Sequence, residues 1–304
     1  MAEYLAPVPP IPLPRTDGFT RTTAVPLYWA AYGREGAPRL LVLHGGPGAH
    51  HDYLLPQMLD LARDHELIFY DQRGGGRSRV DARDPITWRT HVEDLSAVVT
   101  ELTAGRPSVV GYSWGGLLTL LHLIERVGDE PQRAARMVLI DPAPLTRQYR
   151  ARFETEFARR QAGPQVDALR EELVASGLRE RDPEQHRQRA FELSVAGYFA
   201  DPAAARDLTP FRVMGRVQQS VWESLGDFDV RADLGRVTPA PPALVVHGRE
   251  DPIPLESSED AARALGARLV VIEGSGHVPY VEQPRVLFPA VREFLNETAH
   301  LVRG

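Results

Sequence analysis

The strongest constraint on this chain is a rhythm. Short apolar runs recur at residues 27–32, 39–43, 67–70, 108–110, 137–140, 243–246 and 269–272. Most are apolar throughout rather than at every second position, the pattern of strands buried on both faces of a largely parallel sheet. Between them lie segments with helical periodicity, at 88–103, 114–127, 256–265 and 286–295. Strands alternating with helices predict an α/β fold, with a mostly parallel central sheet, flanking helices and right-handed crossovers.

The rhythm stops between residues 142 and 239. This stretch is rich in Arg, Glu and Ala, keeps helical periodicity and lacks strand-like runs. Pro239, Pro241 and Pro242 punctuate the return to a strand. Because strands resume at once, the expected organisation is one core, residues 1–141 and 240–304, carrying a helical cap at 142–239 between two core strands. Residues 1–17 form a proline-rich arm, with prolines at 7, 9, 10, 12 and 14, expected to lie extended on its own domain. The arm has no apolar run like a signal-peptide core, and no window approaches the roughly 18 apolar residues of a membrane span. A cytoplasmic location is the expectation.

Composition removes several chemistries. All 35 basic residues are arginine, and there is no lysine and no cysteine. A Schiff-base or P-loop lysine, a thiolate nucleophile, a cysteine zinc site and an iron–sulfur cluster are therefore excluded. The net charge of −6 argues against a nucleic-acid or anionic-membrane partner. His50 and His51 are adjacent, so their side chains diverge, and no H-x-x-x-H pair exists. They are expected to face solvent near a site mouth, and neither a metal nor a cofactor is expected.

Gly111-Tyr112-Ser113-Trp114-Gly115 is a G-x-S-x-G pentapeptide between an apolar run and a helical segment. A strand, a sharp turn and a helix would put the Ser113 hydroxyl out at the carboxyl end of the sheet. A serine hydroxyl is a poor nucleophile at neutral pH and needs a base and an orienting acid. His277, in Gly274-Ser275-Gly276-His277 after the last strand, is the candidate base. Asp251, in the turn before Pro252, is the candidate acid, with Asp141 second and Glu250 adjacent. His44-Gly45-Gly46-Pro47-Gly48 follows an earlier strand. There the N–H of Gly45 or Gly46, with that of Trp114, would form an oxyanion hole, each donor contributing roughly 3–4 kcal/mol to the transition state. His44 is expected to be structural. The glycine-rich Asp71-Gln72-Arg73-Gly74-Gly75-Gly76-Arg77-Ser78 does not fit a phosphate loop, and its arginines are expected to brace neighbouring loops.

These motifs, spread from about residue 24 to 295, resemble the α/β-hydrolase superfamily and, within it, the proline iminopeptidase (prolyl aminopeptidase) group of serine peptidases. The chain order Ser113, Asp251, His277 is the one that superfamily uses. The resemblance implies an α/β-hydrolase fold and release of an N-terminal residue, proline favoured, from a small or short peptide substrate with a free N-terminus. It makes Glu223, in Val221-Trp222-Glu223, the candidate amine-binding carboxylate, with Trp222 beside it and Asp227 and Asp229 as nearby acids. Tyr112 departs from the glycine of many members and would either narrow the substrate pocket or pack on the sheet. An esterase or amidase with the same triad is the alternative, and a non-catalytic ligand-binding homologue the third reading. Serine at position 113 argues against an epoxide hydrolase or dehalogenase, which needs a carboxylate there. Oligomeric state is not specified by these features.

Overall fold

The apolar runs assemble into one eight-stranded sheet in the order β1-β2-β4-β3-β5-β6-β7-β8. The computed structural model describes residues 10–81, 83–103, 105–129 and 132–297. Its strands are β1 (Thr16–Phe19), β2 (Tyr28–Tyr32), β3 (Arg39–Leu43), β4 (Glu66–Tyr70), β5 (Ser108–Tyr112), β6 (Arg136–Ile140), β7 (Ala243–Gly248) and β8 (Arg268–Ile272). β1 and β2 pair antiparallel, and β2 meets β4 antiparallel. Every pairing from β4 through β8 is parallel.

The continuous apolar runs are explained by burial on both faces. Leu41 and Leu43 of β3 point into one core layer, while Leu40 and Val42 point into the other. Val109 and Val110 of β5 divide in the same way. A fully buried side chain of this kind contributes about 1.5–3 kcal/mol relative to exposure. The first layer is covered by α1 (Trp88–Leu102) and α2 (Trp114–Glu125). α1 starts at a capping box in which Thr87 and Thr90 satisfy each other's end groups. α2 is buried on every side from Trp114 to Leu123, the polar Thr119 and His122 included, and becomes exposed only at Glu125, which suits a helix sandwiched between sheet and neighbours.

Between β6 and β7 the chain runs through α3 (Arg147–Gln161), α4 (Pro164–Ala175), α5 (Leu178–Arg181), α6 (Pro183–Val195), α7 (Gly215–Leu225) and α8 (Arg231–Leu234). α9 (Leu255–Leu265) joins the first layer, and α10 (Pro279–Glu282) with α11 (Pro284–Asn296) joins the second.

The polar edge strand β1 was not among the expected strands. Its residues Thr16-Asp17-Gly18-Phe19 are mostly exposed, so it carries no burial pattern to read. It begins inside the expected arm, whose first nine residues lie outside the described ones; residues 10–14 have no regular structure.

The topology fixes where chemistry can be placed. The chain leaves β3 toward β4 and returns across it to β5, so the strand order reverses between β3 and β5. A crevice forms at the carboxyl ends of strands at such a switch point. The loops carrying Gly45, Ser113, Asp141, Asp251 and His277 follow β3, β5, β6, β7 and β8, all at that edge.

Space at the β5–α2 turn is spent to the limit. A Cβ on Gly115 would lie 2.4 Å from the Leu43 carbonyl oxygen, and one on Gly111 would lie 2.6 Å from that of Gly115. Gly115→Ala is therefore expected to lower unfolding stability by about 1–3 kcal/mol or more. Gly215→Ala, with open space at the first residue of α7, should be neutral or mildly stabilising, and chemical denaturation of both variants checks the contrast.

Candidate active site

Ser113 sits at the turn between β5 and α2 with φ 53° and ψ −118°. Non-glycine residues seldom adopt such a positive φ, and neighbouring contacts must enforce it. The Ser113 N–H donates to the Ile140 carbonyl at 3.0 Å. Its own carbonyl accepts from Gly116 at 2.9 Å, Leu117 at 3.2 Å and Ala143 at 2.9 Å. With its backbone fully engaged, the side chain is left half-exposed at the sheet edge.

Three of the expected residues meet there. Ser113 Oγ lies 2.9 Å from His277 Nε2, and His277 Nδ1 lies 2.8 Å from Asp251 Oδ2. The second Asp251 oxygen accepts the Ile253 N–H at 2.8 Å. This network sets the imidazole tautomer, with Nδ1–H donating to Asp251 and Nε2 free to accept the serine proton. Burial alone would raise the Asp251 carboxyl, but the adjacent His277 and His247 hold it below its ordinary value. Such an arrangement can take a proton from a hydroxyl and stabilise the resulting imidazolium.

The loop carrying His277 is tied to the helical stretch after β6. The His277 N–H donates to the Tyr198 carbonyl at 2.7 Å, and the Tyr198 ring stacks on the imidazole at 5.2 Å. The Glu282 carboxylate accepts from Gly276 N–H at 2.7 Å and Ala200 N–H at 2.8 Å, bridging the two segments. Burial raises the Glu282 carboxyl to about 7 despite these donors.

The two glycines of the loop after β3 differ in their bonding. The Gly45 N–H already donates to the buried Tyr53 hydroxyl at 2.7 Å. Of the two glycines, only Gly46 retains an N–H without a protein partner among the described residues. Trp114 is the first residue of α2, so its N–H has no intrahelical acceptor. The glycine loop stands directly over the serine, since a Cβ on Gly45 would lie 2.7 Å from Ser113 Cβ. His44 is fully buried as a loop brace: Nδ1 donates to the Gly45 carbonyl and Nε2 accepts the Gln72 N–H. Burial lowers its pKa to about 4, which keeps it neutral.

Glu223 is exposed on α7, where its Oε1 accepts from Gln219 one turn earlier at 2.7 Å. The buried face of that helix carries Val217 and Val221 and turns Glu223 the other way. Trp222 is half-buried, packing edge-on against Trp114 at 5.3 Å and beneath the Arg150 guanidinium. The Trp114 ring is itself held in the core by a bond from its Nε1 to Gln72. Asp227 and Asp229 are exposed, and Asp229 pairs with Arg231. Tyr112 does not narrow a pocket: it is 4% exposed, its hydroxyl donates to the His277 carbonyl at 2.9 Å, and its ring packs on the imidazole. Glu250 accepts from Ser275 N–H rather than from His277.

His51 is buried, not solvent-facing, and its Nδ1 donates to Asp71 at 2.7 Å; His50 is half-buried. In the second glycine-rich loop, Arg73 forms a buried bidentate pair with Asp94 of α1, and Arg77 binds Asp52. Both arginines do brace neighbouring segments.

Among the described residues, Asp141, His247 and Asp251 bring potential metal-binding atoms within 4.8 Å of one another. Their polar atoms are largely committed: His247 Nδ1 to Ser258 Oγ, Asp141 Oδ1 to Gly248 N–H, and Asp251 to His277 and Ile253. Asp141 Oδ2 and His247 Nε2 have no hydrogen-bond partner among the described residues, and the set forms a wall behind His277.

Comparison with known proteins agrees with the fold. Residues 40–290 match the model of the alpha/beta hydrolase family. The chain belongs to the α/β hydrolase family. Among its relatives is a proline iminopeptidase of Heyndrickxia coagulans, 26% identical and aligned over 92% of this chain and 99% of the relative. A protein named putative carbamate hydrolase RutD, from Pseudomonas savastanoi pv. phaseolicola, is 28% identical over 84% of this chain and 93% of its own. The solved structure of a proline iminopeptidase-related protein from Thermus thermophilus superposes with a TM-score of 0.69 at 24% identity, covering 92% of this hydrolase and 96% of that chain.

Tyr53 was not singled out from the sequence, because nothing about residue 53 reveals a bond to Gly45. Tyr53→Phe leaves that buried N–H unpaired and is expected to cost about 1–3 kcal/mol of stability. If the bond also sets the angle of the glycine loop, kcat should fall about tenfold, equivalent to about 1.4 kcal/mol, with KM little changed. Steady-state kinetics and thermal unfolding of the variant check both.

Proposed function

We propose that this protein is a serine hydrolase acting through an acyl-enzyme. The observation that carries the reading is the continuous Ser113–His277–Asp251 chain, with contacts of 2.9 and 2.8 Å. Ser113 attacks the substrate carbonyl while His277 Nε2 takes its proton. Asp251 orients the imidazole and stabilises its charged form without itself being protonated. The tetrahedral oxyanion is received by the N–H groups of Gly46 and Trp114, fixed donors that need no reorganisation during the step. His277 then protonates the leaving group, and water activated by the same imidazole releases the acid.

The segment 142–239 serves as a cap over this site in the proposal. Its residue Val213 stands over the glycine loop, 3.9 Å from where a Gly46 Cβ would be, and Tyr198 covers His277. An open groove of about 790 Å³, lined by His50, Phe191, Phe211 and Arg212 among others, lies alongside. Phe211 stacks on Tyr53 at 4.3 Å, which connects the groove to the oxyanion loop.

For the substrate, the proline iminopeptidase relatives favour the amide bond after an N-terminal residue, proline foremost, in a short peptide. A second reading, hydrolysis of esters or amides of uncharged acyl groups, is favoured by the outward placement of Glu223. It is also favoured by the aromatic character of Tyr53, Tyr198 and Phe211.

Ser113→Ala is expected to lower turnover by about 10⁴-fold or more with the fold retained. A fluorophosphonate should label the native enzyme stoichiometrically at Ser113, and no labelling together with tight ligand binding would mean a non-catalytic homologue. Assaying free-amine aminoacyl arylamides beside their N-acetylated forms and simple esters separates the two substrate readings. A rate undiminished by acetylation rules out the aminopeptidase.

A further inference from the structure

Directly behind Asp251 lies a second carboxyl group that the proposed chemistry does not use. Asp141 follows β6, is completely buried and has a positive φ of 42°. Its N–H donates to the Val246 carbonyl at 2.9 Å, and its Oδ1 accepts the Gly248 N–H at 2.7 Å. Its Oδ2 has no conventional hydrogen-bond partner. No arginine pairs with it among the described residues; the nearest basic group is His247, whose Nδ1 is 3.7 Å from Oδ1 and also meets Ser258.

Two buried carboxyls whose oxygens come within 4.8 Å of each other strongly resist ionising together. The donors decide which one keeps the charge. Asp251 accepts from His277 Nδ1 and the Ile253 N–H, while Asp141 accepts from one backbone N–H. We infer that Asp141 is a positioning residue, a neutral carboxylic acid whose Oδ2–H donates to the Asp251 carboxylate and fixes the orienting acid of the triad. This rests on the proposed reading of Ser113, His277 and Asp251. It also accounts for the otherwise orphaned Oδ2, which becomes the donor of the pair. The groups facing Asp141 are Asp251 and His247 from the β7 end, Tyr280 and Glu282 from α10, and Tyr112 from β5. Burial and then the Asp251 charge push the Asp141 carboxyl well above its ordinary value, and Glu282 adds to that direction.

The charge state has a stability signature. A carboxyl whose folded pKa is raised destabilises the native state progressively as pH climbs above its unfolded pKa of about 3.9, because the unfolded chain then ionises it. Asp141→Asn removes that slope and keeps a donor to Asp251. The thermal midpoint of D141N relative to wild type should therefore rise between about pH 4.5 and 7.5.

The rate of Ser113 labelling by a fluorophosphonate supplies a substrate-independent second readout. D141N should label within about threefold of wild type with its pH midpoint displaced by less than about 0.2, since no charge near His277 is lost. D141A, lacking the donor, should label about tenfold more slowly. The inference is overturned if the D141N midpoint falls by about half a unit or more, the sign expected when an anion beside His277 is removed. It is equally overturned if the D141N stability difference shrinks with rising pH, or if D141A labels at the wild-type rate. Should D141A fail to fold, the two D141N measurements still decide. Asp251→Asn labelling as fast as wild type would sink the triad reading itself, an outcome distinguishable from all of these.

Discussion

The site is organised around a backbone conformation that Ser113 would not choose. A residue held outside the ordinary regions stores about 1–3 kcal/mol and persists only when its surroundings over-determine it. Here the surroundings are the absent side chains of Gly111 and Gly115, whose places are taken by backbone carbonyls. The Ser113 carbonyl takes three N–H donors, and α2 is locked between sheet and neighbouring helices. The sheet thus holds Ser113 as part of its own packing. The other parties arrive on separate loops, each fixed by its own bonds: Gly45 by Tyr53, His277 by Tyr112 and Tyr198 far away in sequence, and Asp251 by Ile253 two residues on.

What the sequence revealed follows from how local each cause is. β3 matches its expected bounds because four consecutive apolar residues after Arg39, followed by a glycine turn, describe a two-sided buried strand without further help. The β5–α2 turn was legible because the strand, the glycines and the helix are contiguous. β1 was hidden because an exposed edge strand has no apolar face to display. Glu223 was placed by resemblance, although the Val217 and Val221 spacing on the same helix already points that helix's buried face elsewhere. His51 could not be read from the chain, since its burial depends on a bond to Asp71, twenty residues away. Tyr53 and Asp141 act through contacts made only after the sheet has formed.

Polar side chains around the site divide by depth. Near the serine the lining is aromatic, with Tyr53, Tyr112 and Tyr198 each spending polar capacity on the protein backbone or turning a ring toward the imidazole. Behind His277 the wall is built from three titratable groups, Asp141, His247 and Asp251. Buried polar groups are costly unless satisfied, and bonds to Ser258, Gly248 and Ile253 meet most of that need here.

The attachment of His277 to residues 198–200 has a mechanical meaning. One backbone bond, one ring stack and the two-handed grip of Glu282 join His277 and its loop to residues 198–200. Gly276 admits no slack, because even a methyl group there would collide with the Tyr198 carbonyl at 2.2 Å. On the proposed reading, an acyl group that displaces residues 198–200 would also displace the imidazole from Ser113, so that substrate size would be gauged by the alignment of His277 rather than by the width of an opening.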